Sequence, residues 1–574
     1  MPGDTVTGAE LLCRALRAHG VETVFGIPGG AIMPFYHALG APETGVRHVL
    51  CRHEQGAGHA AQGYARASGR IGVCVATSGP GATNLVTPIA DAWMDGTPLL
   101  AITGQVASHL LGTDAFQEID IIGITLPIVK HSRLVCSADD IEEAVAEAIR
   151  IATEGRPGPV LLDITKDAQQ GRALPTPSRR VTHMAAAEQV RAPLPLARQL
   201  DAALALLVEA RRPLILAGHG VIQSGAADQL RMLAERMDLP VATTLLGLGA
   251  IPQGHRLSIG LAGMHGSVAV NRALQACDVL FSVGARFDDR VTGPAARFAP
   301  RATVVHLDIE PSQLSKTIPA AVELIGDARA VLEVMMRQAP IRQGADWLRE
   351  IEETAARRGR QSDDGLGGCG TLPPRDVYRA LERAWRGNGP VLVVSDVGQH
   401  QMWAAQWLSW DAPGAHVTSG GAGTMGFAVP AALGAAIARP EATVWAIVGD
   451  GGFQMTNQEL ATVVQEGVRN LRIAVINNGY LGMVRQWQQL FHDRRYSGTP
   501  LSGPDFPALA RSYGLQAVAV EHTDDLAAVL DRVSRAPDAV LIDFRVEREA
   551  NVFPMVPPGA AIDAMIATAT EAVQ

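Results

Sequence analysis

The stretch 449–478, GDGGFQMTNQELATVVQEGVRNLRIAVINN, restricts the possible folds more than any other part of the chain. An apolar run at 443–448 leads into Gly449-Asp450-Gly451-Gly452. The periodicity predicts an amphipathic helix starting near Asn457 and ending at Gly467, and a second apolar run, 471–476, stops at Asn477-Asn478. Strand, turn, helix, strand is a βαβ unit whose buried strands run parallel, with both C-terminal ends on one edge. Open α/β sheets bind ligands at that edge. Asp450 and Asn477 both fall there, two hard oxygen donors beside a glycine turn. That set suits Mg²⁺, which shares its octahedral shell with phosphates. GDG alone is an ordinary strand-end turn; with Asn-Asn closing the next strand the signal is specific.

The same scheme opens three times. Residues 7–30 begin with a capping box, Thr7 and Glu10. An apolar face of Leu11, Leu12, Ala15 and Leu16 follows, then a stop at Gly20, a strand at 22–25 and a Gly/Pro loop. Residues 194–220 repeat helix, strand (214–217) and glycine loop, and residues 373–400 do so again, with a strand at 391–395 before Asp396-Val397-Gly398-Gln399-His400. Length alone suggests about four domains; the threefold opening predicts three α/β modules instead. Residues 169–193 and 339–372 read as linkers by composition, the latter with a charged helix and the run GLGGCGTLPP. The expected domains are 1–175, 194–338 and 372–574.

With 47% hydrophobic and 19% charged residues the chain has ample core for a large enzyme. Its net charge of −9 leaves no basic stripe, which argues against nucleic acid. Six scattered cysteines without a CxxC fit neither a zinc site nor a disulfide framework, and they suit a reducing compartment. The N-terminus has no apolar signal core, and the longest apolar stretch, 424–438, is too short and too broken by Gly and Pro to span a bilayer. A cytoplasmic enzyme is expected.

In the first module, runs at 46–50, 72–77 and 99–103 read as strands. Glu54 stands where the first gives way to a helix; read alone, it is a first-turn carboxylate favoured by the helix dipole. His53 and His59 read as satisfied polar groups. After the second strand, Ser-Gly-Pro-Gly leads into a helix able to offer N–H groups at its start.

Glu54 within RHEQGAGHAAQGYAR, the loop SGPGATN and the GDG…NN unit together resemble the thiamine-diphosphate-dependent enzymes. More narrowly, the chain is similar to the catalytic-subunit family of acetolactate synthase. The likeness runs through FGIPGGAIMPFYHAL, TGQV, GTDAFQE, RPGPVLLDITKD, LAGMHG, FDDRVTG, VGQHQMWAAQW, SGGAGTMGF, NNGYLGMVRQWQ and VFPMVPPG. It implies three doubly wound parallel-sheet modules: pyrimidine-binding, central FAD-type, and diphosphate-binding with a C-terminal lid segment.

The resemblance also implies a homo-oligomer, a dimer at least, with the cofactor held between two chains, and it leaves room for a small regulatory subunit. Glu54 takes the place of the glutamate that hydrogen-bonds the aminopyrimidine. Pro80, Asn84, Val397, Gly398, Gln399, His400, Gly423, Gly449, Gly451 and Gly452 match cofactor contacts, and Met425 matches the side chain that wedges it. Asp450, Asn477 and the carbonyl of Gly479 match Mg²⁺ ligands. Arg290 matches the arginine that holds the second substrate's carboxylate, with a salt bridge to Asp288 or Asp289 as its plainer role. Met483 and Trp487 match the acceptor pocket; Phe116, Gln117 and Lys166 match its mouth, with Gly30 and Ala31 near the reacting centre.

FAD contacts correspond to Arg156, Gly218, Gly220, Leu261, Gly263, Met264, His265, Gly266, Gly284, Arg286 and Asp308. The chain departs from the family at His219, inside what is usually a run of three glycines, and at Ala422 and Ala428, where Leu and Gly are usual. The expected substrates are pyruvate and, as alternative acceptor, 2-oxobutyrate. Another thiamine-diphosphate enzyme of 2-oxo acids (an oxidase, decarboxylase or carboligase) and a non-catalytic partner subunit are the alternatives.

Overall fold

The buried apolar runs form three six-stranded parallel sheets in a computed structural model, which describes residues 5–175, 194–359, 372–385, 387 and 389–568. The first sheet holds β1 (Thr23–Gly26), β2 (Arg47–Leu50), β3 (Gly72–Ala76), β4 (Leu99–Gln105), β5 (His131–Val135) and β6 (Pro159–Thr165), ordered β2-β1-β3-β4-β6-β5. The central sheet holds β7 (Pro213–Ala217), β8 (Val241–Thr243), β9 (Ser258–Leu261), β10 (Val279–Val283), β11 (Thr303–Asp308) and β12 (Val322–Ile325). Its order, β9-β8-β7-β10-β11-β12, is that of the doubly wound dinucleotide fold. The third sheet holds β13 (Val391–Ser395), β14 (His416–Thr418), β15 (Thr443–Gly449), β16 (Leu471–Asn477), β17 (Gln516–Val520) and β18 (Val540–Arg545). Ordered β14-β13-β15-β16-β18-β17, it repeats the first sheet's topology. Core strands such as β3, β7 and β10 are buried along their whole length, as strands covered by helices on both faces must be.

Nine helices matter for the site: α1 (Gly8–Ala18), α2 (Glu54–Ser68), α3 (Val86–Asp95), α4 (Ala345–Gly359), α5 (Gln399–Trp407), α6 (Ala428–Ala438), α7 (Asp450–Thr456), α8 (Leu460–Gln465) and α9 (Gly482–Phe491). The capping box on α1 is present, with Thr7 and Glu10 each bonding the other's backbone N–H. The expected strand–helix–strand around Gly449–Asn478 forms, and β15 and β16 pair in parallel. Its helix, however, starts at Asp450 rather than near Asn457. Gly449 is the extended N-cap, so Asp450 sits in the first turn, where the helix dipole favours a carboxylate. A 3₁₀ turn, Asn457–Glu459, then separates α7 from α8.

The stretch read as a second linker contains α4, which packs on the central module. Trp347 and Ile351 are buried, the Trp347 indole donates to the Pro213 carbonyl at 3.1 Å, and the Arg212 guanidinium lies 5.3 Å from its ring centre. The first expected linker also begins inside the first module: Gln169 is buried in a short helix, Lys166–Gln170, and Arg172–Ala173 pairs antiparallel with Val6–Thr7; residues 176–193 and 360–371 lie outside the described residues.

The first and third modules meet where α2 crosses α6. A Cβ on Gly63 would overlap the Ala431 carbonyl, and one on Gly434 would overlap the Ala60 carbonyl, so the backbones touch at two reciprocal points. Beside them the buried His59 ring stands 5.3 Å from Phe427, edge to face. Burial pushes His59 down to about 3, so it is neutral and structural. His53 caps α2 by accepting the Gln55 N–H. Gly434→Val is therefore expected to lower stability by about 1–3 kcal/mol or more through overpacking, read as a lowered urea midpoint.

Candidate active site

At the C-terminal edge of the third sheet, Asp450, Asn477 and Gly479 come together. The Gly479 N–H donates to Asn477 Oδ1 at 3.3 Å, and it lies close enough to the Asp450 carboxylate to favour its ionised form. Asn477 Nδ2 donates to Asp543 at 3.0 Å, which fixes the amide so that its oxygen faces the site. Burial pushes the Asp450 carboxyl up to about 7 against hydrogen bonds that lower it; a neighbouring cation would restore the ionised form. The Asp450 carboxylate and the Asn477 amide oxygen, with the Gly479 carbonyl that also accepts the Leu501 N–H at 2.9 Å, make a hard-oxygen set of the chemistry that fits Mg²⁺.

Beside this set, the α5 N-terminus presents N–H groups without intrahelical acceptors. The His400 ring lies against Gly398 and Gly449, 2.8 Å from where a Cβ on either would stand. Its Nε2 is buried without a partner. This cradle suits an anion. The Gln399 side chain donates to Gln486 and to the Ala550 carbonyl, and accepts from Asn478. Met425 reaches this edge too, its Cε 3.5 Å from where a Cβ on Gly451 would stand.

The loop carrying Gly423 and Met425 is tied down by three buried carboxylates that the sequence reading missed. Asp396 accepts the N–H groups of Val397, Gly426 and Ala428 at 2.8, 2.9 and 3.0 Å. Asp91 and Asp95, one turn apart on α3, reach across from the first module. Asp91 accepts the hydroxyls of Ser419 and Thr424; Asp95 accepts the N–H groups of Gly420 and Gly421 at 2.8 and 2.7 Å and pairs with buried Arg66 at 3.6 Å. An i, i+4 acidic pair on an otherwise apolar helix was the signal that could have revealed them.

In the first module, Glu54 opens α2 and accepts from Asn84 Nδ2 at 2.9 Å, so Asn84 orients the carboxylate. Pro80 starts a single helical turn at 80–83. Gln117 packs on Gly79, and Phe116 projects into solvent with 88% of its surface exposed. Lys166 follows β6 at the same edge, Ala31 is held between Thr77 Oγ1 and Gln169 Nε2, and Gly30 faces open space.

A cavity of about 770 Å³ lies between the central module and the other two. Gly220, His219, Leu261, Met264, His265, Gly284, Arg286 and Asp308 line it from the centre, Arg156 from the first module, and Val397, Gly398, Gly423, Met425, Met483 and Trp487 from the third. Gly218, Gly263 and Gly266 stand behind the wall, where they let backbones touch. His219, the departure in the glycine turn, bonds the Leu246 carbonyl at 3.2 Å, and burial pushes it down to about 3. Burial pushes the Asp308 carboxyl up to about 6. Arg290 borders the cavity, mostly exposed, with Met264 Sδ at 3.5 Å and Asp289 at 3.7 Å. Glu54, Gly30, Ala31, Phe116, Gln117 and Lys166 do not line this cavity.

Family models agree with this division. The N-terminal TPP binding domain of thiamine pyrophosphate enzymes matches residues 6–124, their central domain 200–335, and their C-terminal TPP binding domain 396–544. The chain is 49% identical to an acetolactate synthase of Mycobacterium bovis over 97% of this chain and 91% of that protein. It is 44% identical to the acetolactate synthase isozyme 2 large subunit of Escherichia coli, over 98% of this chain and 99% of that one. The chain belongs to the acetolactate synthase family of thiamine pyrophosphate enzymes. A relative from Corynebacterium glutamicum, an acetolactate synthase large subunit, is 46% identical over 97% of this chain.

Within this family fold, the α3 carboxylates hold a third-module loop from the first module. Asp95→Ala would leave Arg66 buried and unpaired, at an expected cost of about 3–5 kcal/mol, measurable as a drop in thermal or urea stability.

Proposed function

We propose that the chain is the catalytic subunit of an acetolactate synthase, a transferase with thiamine diphosphate, Mg²⁺ and FAD as cofactors and with domains at 1–175, 194–338 and 372–574. It decarboxylates pyruvate and joins the remaining two-carbon unit to a second 2-oxo acid. Pyruvate as acceptor gives 2-acetolactate and 2-oxobutyrate gives 2-aceto-2-hydroxybutyrate, a first common step toward branched-chain amino acids. The observation that carries this reading is the meeting of Asp450, Asn477 and Gly479 beside the α5 cradle, in a chain kin to acetolactate synthases over nearly its full length.

When bound, thiamine diphosphate supplies the electron sink that accepts the bonding pair left behind as carbon dioxide departs. This chain's residues do the rest. Asp450, Asn477 and the Gly479 carbonyl would hold Mg²⁺, the α5 N-terminus and His400 would hold the diphosphate, and Met425 would pack against the cofactor's rings. Glu54, oriented by Asn84, would hold and share a proton at its carboxylate with the cofactor's pyrimidine. Arg290 holds the acceptor's carboxylate, for which a guanidinium fork is well shaped. Met483 and Trp487 size the pocket for its alkyl group. Arg156, Arg286 and Asp308 face the cavity where FAD would lie, two cations for its diphosphate and an oxygen acceptor for a ribose hydroxyl.

Glu54 does not line the cavity, and in this reading Glu54 of a second copy completes the site. Exposed apolar side chains at both half-sites, Met33 (51%) and Phe116 in the first module and Met455 (52%) in the third, fit burial in such a dimer. Among the described residues no helix is long and apolar enough to cross a membrane, and five cysteines are unpaired, in keeping with a cytoplasmic enzyme.

Purified protein given pyruvate, thiamine diphosphate and Mg²⁺ is expected to form acetolactate, assayed as acetoin after acid treatment. Acetaldehyde, acetyl phosphate or peroxide as the main product would overturn the reading. Glu54→Gln is expected to cut turnover by about 10²–10⁴-fold, the range of a lost acid–base group. Trp487→Leu should shift the 2-oxobutyrate to pyruvate product ratio by about tenfold or more in competition, since one methylene in a fitted pocket is worth that much.

A further inference from the structure

Glu459 is a fully buried carboxylate that belongs to neither the metal set nor the cavity. It ends the 3₁₀ turn that continues α7, whose first residue is Asp450. Its side chain crosses into the first module. Oε1 accepts the backbone N–H groups of Arg52 at 3.0 Å and His53 at 3.1 Å, and Oε2 accepts the Thr462 hydroxyl at 2.7 Å. Arg52 and His53 are the two residues immediately before Glu54. Gly56, in the first turn of α2, is what lets the carboxylate in: a Cβ there would overlap Glu459 Oε1. Burying a carboxylate is costly unless every acceptor is used, and here two of three donors come from the segment that delivers Glu54.

We propose that Glu459 is a positioning residue for Glu54. It anchors the start of α2 and so sets where the Glu54 carboxylate stands, while Asn84 sets which way it points. The inference rests on the reading of Glu54 as the proton-holding group. It has a second consequence: α7 and its 3₁₀ turn run from the metal ligand Asp450 to Glu459, so one short segment joins the two half-sites that a chain contributes. A plain inter-module tether would share these bonds, but its loss would lower stability without acting through Glu54.

The test compares Glu459→Ala, Glu459→Gln and Gly56→Ala, each alone and combined with Glu54→Gln. Glu459→Ala is expected to lower kcat about 10- to 100-fold, as a displaced reacting group does, with the KM for pyruvate little changed. Glu459→Gln, whose amide oxygen can still accept both N–H groups, should recover most of the rate. Gly56→Ala should lower kcat like Glu459→Ala, by pushing the carboxylate off its donors without removing a buried charge. In the Glu54→Gln background, neither damaging variant should reduce the residual rate further, because residues acting through one another are non-additive. Amide hydrogen exchange of the cofactor-free protein is a readout independent of turnover: residues 52–57 should exchange faster in Glu459→Ala, but not in Glu459→Gln.

A Glu459→Ala enzyme with normal kcat, or a loss that multiplies with Glu54→Gln, overturns the proposal. Should Glu459→Ala fail to fold, a Gly56→Ala enzyme with normal kcat does the same. Near-normal turnover in Glu54→Gln brings down the functional reading itself, whereas an inactive Glu54→Gln beside a fully active Glu459→Ala brings down only the positioning role.

Discussion

The rest of the structure depends on a backbone-to-backbone contact between α2 and α6. Gly63 against Ala431 and Gly434 against Ala60 leave no room for a side chain at either crossing point. Interiors packed at crystal density turn such a contact into a fixed coordinate. The helix that begins at Glu54 is thereby set against the helix that follows the Met425 loop. Both half-sites hang from this one crossing.

Around it, buried carboxylates do what side-chain packing cannot. Asp396, Asp91, Asp95 and Glu459 each spend their oxygens largely on backbone N–H groups or hydroxyls of loops and helix starts. Three of the four reach from one module into another. In a low-dielectric interior an unmet partner is expensive, so such contacts hold irregular backbone in one arrangement. Gly420, Gly421, Gly426 and the start of α2 are irregular, and they carry or adjoin Met425 and Glu54.

The sheets were legible because their strands are buried on both faces and read as continuous apolar runs bounded by glycine. The placement of Asp450 and Asn477 at one edge followed from the βαβ rule alone. The start of α7 was not legible: Gly-Asp-Gly-Gly has the composition of a turn, yet Asp450 is stabilised in a first helical turn by the dipole and by its own N–H. Glu459 was invisible for a different reason. Its acceptors meet donors 407 and 406 positions upstream, and nothing local distinguishes it from any glutamate beginning an amphipathic helix. The partners of the Gln399 side chain were not legible either, because a buried amide is claimed by whichever complementary groups surround it, here Gln486, Asn478 and the Ala550 carbonyl.

The first and third modules share a strand order and meet through reciprocal glycines. For anyone recombining parts of related enzymes, this makes the seam the unit of exchange. A transplanted module with the right sheet but an alanine in place of either glycine would hold its neighbour off, displacing Glu54 and Met425 together. Modules can be traded between such chains only as matched pairs, or with both crossing helices carried over from one parent.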